Sequence, residues 1–410
     1  RSTLFPYTTL FRSPEIENGS LVVHNGKIVA VGATVTVAAG ARSVDVTGKV
    51  IMPGLVDSHS HIGGPEGADG SAPLQPDVRI LDSLDVRDSR MQKAQAGGIT
   101  TVNVMPGSGH VLSGQTLYLK LRDGRVIDDL LIKLPDGRIA GGIKMANGTN
   151  PRKASPFPGT RGKTMALARD LFVKGQEYRD KVRAAAGDAS KLPPRDLRLE
   201  AIAEVLDGKR TVHHHTHRHD DIVSVLRLQK EFGFRLVLQH VTDGWMVAGE
   251  IAQSKAPASV IVIDSPGGKE EAKNLAFRNA AELDKAGVLV GFHTDDGVTD
   301  SRLFLRSAGL AVRAGLSRQK ALYGVTMANA KMMDLDSRVG SLAPGKDADF
   351  IILSGDPLSV YTKVLETWVD GVQVFDRRAE KDRLYAEGGE GSADRQSALH
   401  LHEDENEVVQ

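Results

Sequence analysis

The residues of this chain best suited to catalysis are its histidines. There are 13 of them in 410 residues and no cysteine, which excludes disulfides, thiolate nucleophiles and cysteine-based zinc sites. His59 and His61 close the apolar run GLVDSHSH. Side chains two positions apart on a strand point to the same face, so this pair could chelate one cation. Such a pair also arises by chance, and its context decides between a metal site and structural histidines.

Four further candidate ligands stand in or directly after apolar runs: Lys144 in IAGGIKM, His215 in TVHHH, His240 in RLVLQH, and Asp295 after VLVGFHT. The strand-like runs occupy 54–61, 99–105, 139–145, 211–215, 235–240, 259–264 and 288–294, with one more strand expected within 117–133. Eight β units over about 270 residues favour a (β/α)8 TIM-type barrel over a doubly wound sheet. The C-terminal ends of barrel strands converge on one mouth, where these side chains would form a metal site.

Composition narrows the classes of partner. The chain has 52 basic and 52 acidic residues, so its net charge is zero and binding to nucleic acid or an anionic membrane has no support. Hydrophobic residues make up 40% and charged residues 25%, as in an ordinary globular protein. Since no apolar run reaches the roughly 18 residues of a membrane span, we expect none.

The two ends differ from the middle. Residues 1–13, RSTLFPYTTLFRS, repeat TLF and RS and are predicted to be a non-native leader in place of the natural start. The sequence therefore assigns no compartment, and a cytoplasmic and an exported location both stay open. Residues 379–410 are rich in acids and are predicted to be a flexible tail. Short β segments are predicted near each end, around the turns Asn25-Gly26 and Asp370-Gly371.

These blocks resemble the amidohydrolase superfamily of metal-dependent hydrolases, in particular its imidazolonepropionase-like and metallo-dipeptidase-like branches. GKVIMPGLVDSHSH (48–61) is similar to the opening motif of that superfamily, and RVGSLAPGKDADFIIL (338–353) to the segment that returns to a small β domain. The resemblance spans residues 15–378. It implies a small β-sandwich domain built from 14–50 and 338–378 around a catalytic barrel at 51–337.

The resemblance also assigns roles by position. It implies a buried α metal held by His59, His61 and Asp295, a more exposed β metal held by His215 and His240, and a carboxylated Lys144 shared by both. Asp295 would also be the general base. The two divalent cations are expected to be zinc, although these ligand types also accept Mn, Co or Fe. Two alternatives stay open: His213 in place of His215, and an unmodified Lys144 that pairs with a carboxylate.

Other residues are candidates for contact with substrate. His110, His217 and His293 stand close to the predicted mouth, whereas His214 and His219 are expected to be structural or solvent-facing. The segment NGTNPRKASPFPGTRGK is predicted to be a long mouth loop carrying Arg152 and Arg161. Guanidinium groups suit a substrate carboxylate, as in a dipeptide or N-acyl amino acid. A solvated loop is the alternative.

The sequence thus predicts a metal-dependent hydrolase that cleaves a C–N bond (amide, cyclic amide or dipeptide-like) in a small molecule through a metal-activated hydroxide. Relatives imply a homo-oligomer. A lactonase or esterase could use the same site. A single-metal deaminase is disfavoured. Such enzymes place a glutamate three residues after the histidine that corresponds to His215, where this chain has Arg218. A non-catalytic scaffold is disfavoured because every ligand position is filled.

Overall fold

The computed structural model describes residues 3–4, 15–64, 69–261 and 269–388. Strands and helices alternate along these ranges, so the chain has mixed α/β content. The strands are β1 (Thr3–Leu4), β2 (Ile16–Glu17), β3 (Ser20–His24), β4 (Lys27–Gly32), β5 (Val50–Pro53), β6 (Leu55–Ser60), β7 (Ile99–Val104), β8 (Leu112–Gln115), β9 (Leu117–Lys120), β10 (Ile143–Ala146), β11 (Val212–Thr216), β12 (Leu236–His240), β13 (Ala258–Val260), β14 (Val290–Phe292), β15 (Phe350–Leu353), β16 (Val364–Val369) and β17 (Val372–Asp376).

The helices are α1 (Ser89–Ala96), α2 (Arg161–Ala184), α3 (Leu197–Leu206), α4 (His219–Phe232), α5 (Ala248–Ser254), α6 (Asn279–Lys285), α7 (Phe304–Arg313), α8 (Arg318–Gly324), α9 (Met327–Met332) and α10 (Glu380–Glu387). Most of those between β10 and β14 cover the parallel strands, whose residues are buried on both faces. None of the helices in the described ranges combines the length and hydrophobicity needed to cross a bilayer.

One sheet carries most of the candidate ligands. Its order is β14-β13-β12-β11-β10-β8, with β10 to β14 parallel and β8 antiparallel to β10. In this register Ala146 lies opposite His215, and Thr216 lies opposite His240. The C-terminal ends of neighbouring strands therefore stand side by side, as parallel pairing requires.

A second sheet has the order β6-β7-β9, with β6 and β7 parallel and β9 antiparallel to β7. The strand expected within 117–133 is thus β9, and it runs against the direction that eight parallel strands require. The backbone N–H of Asp295 donates to the carbonyl of His59 at 3.0 Å, which brings the segment after β14 beside the end of β6. The ladders between described residues leave these two sheets separate, and their closure into a (β/α)8 barrel stays a prediction.

Strands from both chain ends share a third sheet, with the order β17-β16-β15-β5-β1-β2. Ile51 of β5 lies opposite Ile352 of β15, and both belong to a small apolar core with Ile28 and Phe350. The predicted hairpin at Asn25-Gly26 joins β3 and β4, and both turn residues have positive φ, 48° and 73°. The β-sandwich arrangement and the domain boundaries stay predictions, and β5 (Val50–Pro53) crosses the predicted boundary after residue 50.

The predicted leader and tail are only partly described. Thr3–Leu4 form β1, which pairs with β2 and β5, and the rest of the predicted leader lies outside the described residues. Within the predicted tail, residues 380–387 form α10 rather than a flexible segment. Tyr385 packs against the main core and the carboxylate of Asp382 accepts a hydrogen bond from the backbone of Asp376, which explains the helix. Residues 389–410 lie outside the described part of the chain.

A buried ion network joins β9 to the third sheet, β17-β16-β15-β5-β1-β2, the end sheet. The ammonium group of Lys120 has no exposed area and contacts the carboxylates of Asp347 (3.2 Å), Asp349 and Asp370 (3.0 Å). Burial alone would lower the pKa of Lys120, but the three carboxylates hold the pKa above its usual value. The second sheet is thus tied to the end sheet by charge as well as by apolar packing.

Replacing this lysine should destabilise the protein. In Lys120→Met the buried carboxylate of Asp349 would lose its cation, so we expect the free energy of unfolding to fall by about 3–5 kcal/mol. Asp347 would keep Lys27 and Arg338 as partners, and the partly exposed Asp370 would keep Arg122. Urea unfolding at pH 7 measures the change. Arg79→Ala is the control, because Arg79 and Asp82 form an exposed pair that should contribute under about 1 kcal/mol. Equal losses in the two variants would contradict a structural role for the network.

Candidate metal centre

The centre of the candidate site lies at the end of β6. The Nε2 atoms of His59 and His61 are 3.4 Å apart. Asp295, which follows β14, brings Oδ1 to 3.3 Å from the first and 3.0 Å from the second. All three residues are buried. Three ligand atoms directed at one point are the arrangement that can hold a cation.

Lys144 reaches the same point from β10. Its Nζ lies 3.1 Å from His59 Nε2 and 3.1 Å from the sulfur of Met105, and its side chain has no exposed area. The backbone carbonyl of Met105 lies 2.8 Å from His61 Nδ1 and so fixes the orientation of that ring. Lys144 of β10 is therefore brought together with the β6 histidines.

A second group of histidines adjoins the first. His240, at the end of β12, has Nδ1 3.8 Å from Asp295 Oδ2, and its ring centroid lies 4.5 Å from that of His215. His217 stacks on His240 at 4.9 Å and 11°, with its Nδ1 2.7 Å from the hydroxyl of Thr242. Three overlapping groups could hold a metal ion: His59 with His61 and Asp295, His59 with His240 and His293, and His215 with His217 and His240.

Two of these residues have unusual backbones. His240 has φ 69° and Asp295 has φ 48°, in the left-handed region that residues other than glycine rarely adopt. Such conformations each cost on the order of 1–3 kcal/mol and cluster at functional sites. The two side chains meet in the cluster, with His240 Nδ1 3.8 Å from Asp295 Oδ2.

The structure distinguishes His213 from His215. His213 lies deeper, with Nε2 2.7 Å from the hydroxyl of Tyr118 and Nδ1 3.0 Å from the amide of Gln239. Both ring nitrogens of His215, in contrast, lack a hydrogen-bond partner among the described residues. Both side chains share a face of β11, as alternation predicts, but only His215 has nitrogens left for a ligand.

The donor set suits divalent cations. Besides His215, His59 Nδ1 and His240 Nε2 are ring nitrogens of this cluster without a hydrogen-bond partner in the described ranges. Buried polar atoms are rarely left without a partner unless an ion or water completes the site. Imidazole and carboxylate groups are ligands for zinc and related metals, so the residues present fit the expected group.

Burial keeps the imidazoles neutral. Desolvation lowers the pKa of His59, His215 and His240 well below the usual value, and the positive charge of Lys144 lowers that of His59 further. Burial raises the pKa of Asp295, but His59, His61 and His240 outweigh this effect and hold it well below its usual range. Neutral imidazoles beside a charged carboxylate are the protonation states that bind a metal.

The five predicted substrate contacts fall into different surroundings. His293 is part of the cluster: its Nε2 lies 3.1 Å from His240 Nδ1 and its Nδ1 lies 2.8 Å from the hydroxyl of Ser259. His217 is also in the cluster. His110, between β7 and β8, is buried. Its ring lies 4.9 Å from that of Phe157, which is in the loop after β10.

The two arginines of the predicted mouth loop differ, and Arg161 is the first residue of α2 rather than part of a loop. Arg161 is paired with Asp221 through Nε, at 2.8 and 3.1 Å from the two carboxylate oxygens. Arg152 has no carboxylate partner among the described residues, and its buried Nε has no hydrogen bond there. Of the two, Arg152 is the one whose charge is left for a ligand.

Two acids that the sequence did not single out support the site. Asp57 accepts hydrogen bonds from the hydroxyl (2.5 Å) and backbone N–H (3.2 Å) of Thr294, and so joins β6 to the segment that carries Asp295. Burial raises the pKa of Asp57 to about 7. Glu271 lies beside His215, with Oε1 3.8 Å from its Nε2. Asp57 lies within VDSHSH, two residues before His59, and this spacing indicated that it is close to the site. Nothing in the sequence around Glu271 indicates that it lies near the histidines.

Comparison with known proteins identifies relatives over most of the chain. A sequence model of the "Amidohydrolase family" matches residues 164–375. A solved structure described as an amidohydrolase from Thermotoga maritima MSB8 has 34% identity and a TM-score of 0.85, covering 92% of this chain and 98% of that one.

Three curated proteins are similar at lower identity. Amidohydrolase tasK of Hapsidospora irregularis is 27% identical, with 83% of this chain and 39% of that protein covered. The 5-methylthioadenosine/S-adenosylhomocysteine deaminase of Symbiobacterium thermophilum is 26% identical, with 83% and 81% covered. An imidazolonepropionase of Mesorhizobium japonicum is 24% identical, with 82% and 86% covered. The chain thus spans well under half of the first protein and most of the other two.

The buried histidines predict a loss of stability in acid. Burial lowers the pKa of His213 and His214 to about 3, against about 6.5 in the unfolded chain. Below pH 6.5 the unfolded state therefore binds more protons, so stability is present above that pH and is lost as the pH falls toward 3. Each residue should cost about 2 kcal/mol at pH 5, relative to pH 7.5.

Urea unfolding of the chelator-treated protein at pH 7.5, 6 and 5 measures this loss. His214→Gln should lose about 2 kcal/mol less over the same range, because one of the proton-binding differences is removed. A free energy of unfolding that stays constant from pH 7.5 to 5 in the unmodified chain would contradict the assignment.

Proposed function

The chain belongs to the amidohydrolase family, and on that premise we propose that it is a metal-dependent hydrolase that cleaves a C–N bond in a small molecule. The convergence of His59, His61 and Asp295, with their ligand atoms 3.0 to 3.4 Å apart, carries the proposal. The bond would be an amide, a cyclic amide or a dipeptide-like bond. The strand ends would converge at the mouth of a (β/α)8 barrel, beside a small β-sandwich domain built from both chain ends.

Two divalent cations, zinc in the simplest case, would occupy the site. His59, His61 and Asp295 would hold the first, and His215 and His240 the second. When bound, such cations acidify water and polarise the carbonyl that water attacks. The neutral state of the imidazoles and the unpartnered ring nitrogens of His215 and His240 support this division.

Lys144 would carry a carboxylate group from CO2 and be shared by both cations. A protonated amine cannot bind a metal, whereas a carbamate offers two oxygens. Its place 3.1 Å from His59 Nε2, with the side chain fully buried, supports this role because an ammonium group is costly to bury beside an imidazole.

Asp295 would move the proton. Its carboxylate is charged at neutral pH, and its Oδ1 lies within hydrogen-bond distance of His61 Nε2. It would accept a proton from the attacking water and return it to the leaving nitrogen, so that C–N cleavage yields an acid and an amine. The hydrogen bonds between Asp57 and Thr294 hold the segment that carries Asp295 against β6.

A substrate with a carboxylate group would suit Arg152. The Arg152 guanidinium has no acidic partner in the described part of the chain, and charge pairing there would orient a dipeptide or an N-acyl amino acid. His110, His217 and His293 would line the same space.

A deaminase is the second candidate, since the similar Symbiobacterium thermophilum protein is named as one. In this chain Arg218 stands where a deaminase glutamate is expected, is partly exposed and pairs with Asp220 at 2.8 Å. A lactone or ester would be cleaved by the same site. The number of bound metals separates these functions, with two for the proposed hydrolase and one for a deaminase.

The role of Asp295 can be tested by substitution. In Asp295→Asn we expect kcat to fall by at least about 100-fold, because the proton acceptor is lost, while metal content falls only in part. Asp296→Asn is the matched control, because Asp296 is also buried but accepts hydrogen bonds from Ser301. Elemental analysis and turnover of a library of dipeptides, N-acyl amino acids, cyclic imides and lactones give both quantities. Full activity in Asp295→Asn would remove it from the mechanism.

The role of Arg152 can be tested with paired substrates. In Arg152→Gln we expect KM to rise by about tenfold for substrates with a carboxylate, since one charge-assisted hydrogen bond contributes about 1.5–3 kcal/mol. The neutral amide of each substrate serves as the internal control and should be affected little. If the unmodified enzyme cleaves the neutral amides equally well, carboxylate recognition is refuted.

A further inference from the structure

Glu271 is a buried acid beside the candidate centre with no role in the predicted ligand set. It lies after β13, in a short turn at 270–272, and its side chain is 1% exposed. Its Oε2 accepts a hydrogen bond from the backbone N–H of Thr149 at 2.7 Å and lies 3.8 Å from Arg161. Gly148 passes so close that an added Cβ would overlap this oxygen. These contacts fix the carboxylate against the loop that follows β10.

The other oxygen of Glu271 points to the histidines. Oε1 is buried and has no hydrogen-bond partner among the described residues, and it lies 3.8 Å from His215 Nε2. Both ring nitrogens of His215 and the Nε2 of His240 also lack partners there. One carboxylate oxygen and the nitrogens of two adjacent imidazoles are therefore buried together without a described donor.

A divalent cation bound by His215 would be within reach of this oxygen. Zinc bonds to imidazole nitrogen and carboxylate oxygen measure about 2.0–2.2 Å, so two ligand atoms of one ion lie at most about 4.4 Å apart. The 3.8 Å between Glu271 Oε1 and His215 Nε2 is within this limit.

We propose that Glu271 is a direct ligand of the cation that His215 and His240 bind, and so adds a carboxylate to the second half of the centre. This inference rests on the proposed function, because it requires that a second cation binds. The added negative charge would favour a hard divalent ion at that position.

A purely structural role of Glu271 explains fewer of these contacts. Arg161 already has both oxygens of Asp221 at 2.8 and 3.1 Å, so its charge is compensated without Glu271. The hydrogen bond from Thr149 uses Oε2 alone. A structural role would leave Oε1 desolvated and unpaired, at a cost that buried polar groups rarely bear.

The test compares Glu271→Gln with Asp221→Asn. Each variant removes one buried carboxylate near Arg161, but only the first removes an oxygen that faces His215. Metal-free protein is titrated with zinc or cobalt(II) by calorimetry, and the visible absorption of the cobalt-loaded protein is recorded. We expect two sites in the unmodified chain and in Asp221→Asn. In Glu271→Gln we expect one unchanged site and one weakened by at least about tenfold, with altered cobalt absorption.

Two outcomes would overturn the inference alone: wild-type affinity for both cations in Glu271→Gln, or an equal loss in Asp221→Asn. No metal binding by the unmodified chain would overturn the proposed function and this inference together. One site in the unmodified chain would refute the second cation on which Glu271 is proposed to act. If Glu271→Gln does not fold, as judged by circular dichroism, Glu271→Asp decides, since it keeps the charge but shortens the reach and should weaken one site only.

Discussion

The removal of ionisable side chains from water governs this structure. His59, Lys144, His215, His240 and Asp295 are all buried, and each comes from a different strand or from the segment after it. Desolvation keeps the imidazoles neutral, and the carboxylate keeps its charge because they surround it. Burying such a set of groups costs free energy unless they form hydrogen bonds or ion pairs with one another or bind a shared cation.

Parallel strand pairing places most of these side chains, and the backbone leaves the extended conformation at two of them. Parallel pairing of β10, β11 and β12 aligns their C-terminal ends, which places Lys144, His215 and His240 near one another. At His240 and Asp295 the backbone is left-handed instead of extended, a conformation that clusters at functional sites.

Sequence patterns predicted much of the site and less of its surroundings. Alternation and run ends were enough to select His59, His61, Lys144 and His240, because those signals are local. They could not separate His213 from His215, since both share a face and differ only in depth. The hydrogen bonds of Tyr118 and Gln239 make that distinction, and they depend on residues 95 positions before His213 and 26 after it.

Long-range contacts explain the other differences. The family resemblance is confirmed by the relatives, but β9 runs antiparallel to β7, where eight parallel strands were expected. The helix α10 forms in a segment whose composition predicted a flexible tail, because Tyr385 reaches the core. Glu271 carries no local pattern at all, and only its contacts with Thr149 and His215 reveal it.

The charge network around Lys120 limits how this fold can be recombined. The lysine belongs to β9, while Asp347, Asp349 and Asp370 belong to the returning segment more than 200 residues later. A chimera that exchanged the end sheet with that of a homologue would therefore bring in foreign partners for a lysine sealed from solvent. Such a chimera should fold only when Lys120 and its three acidic partners come from the same parent protein.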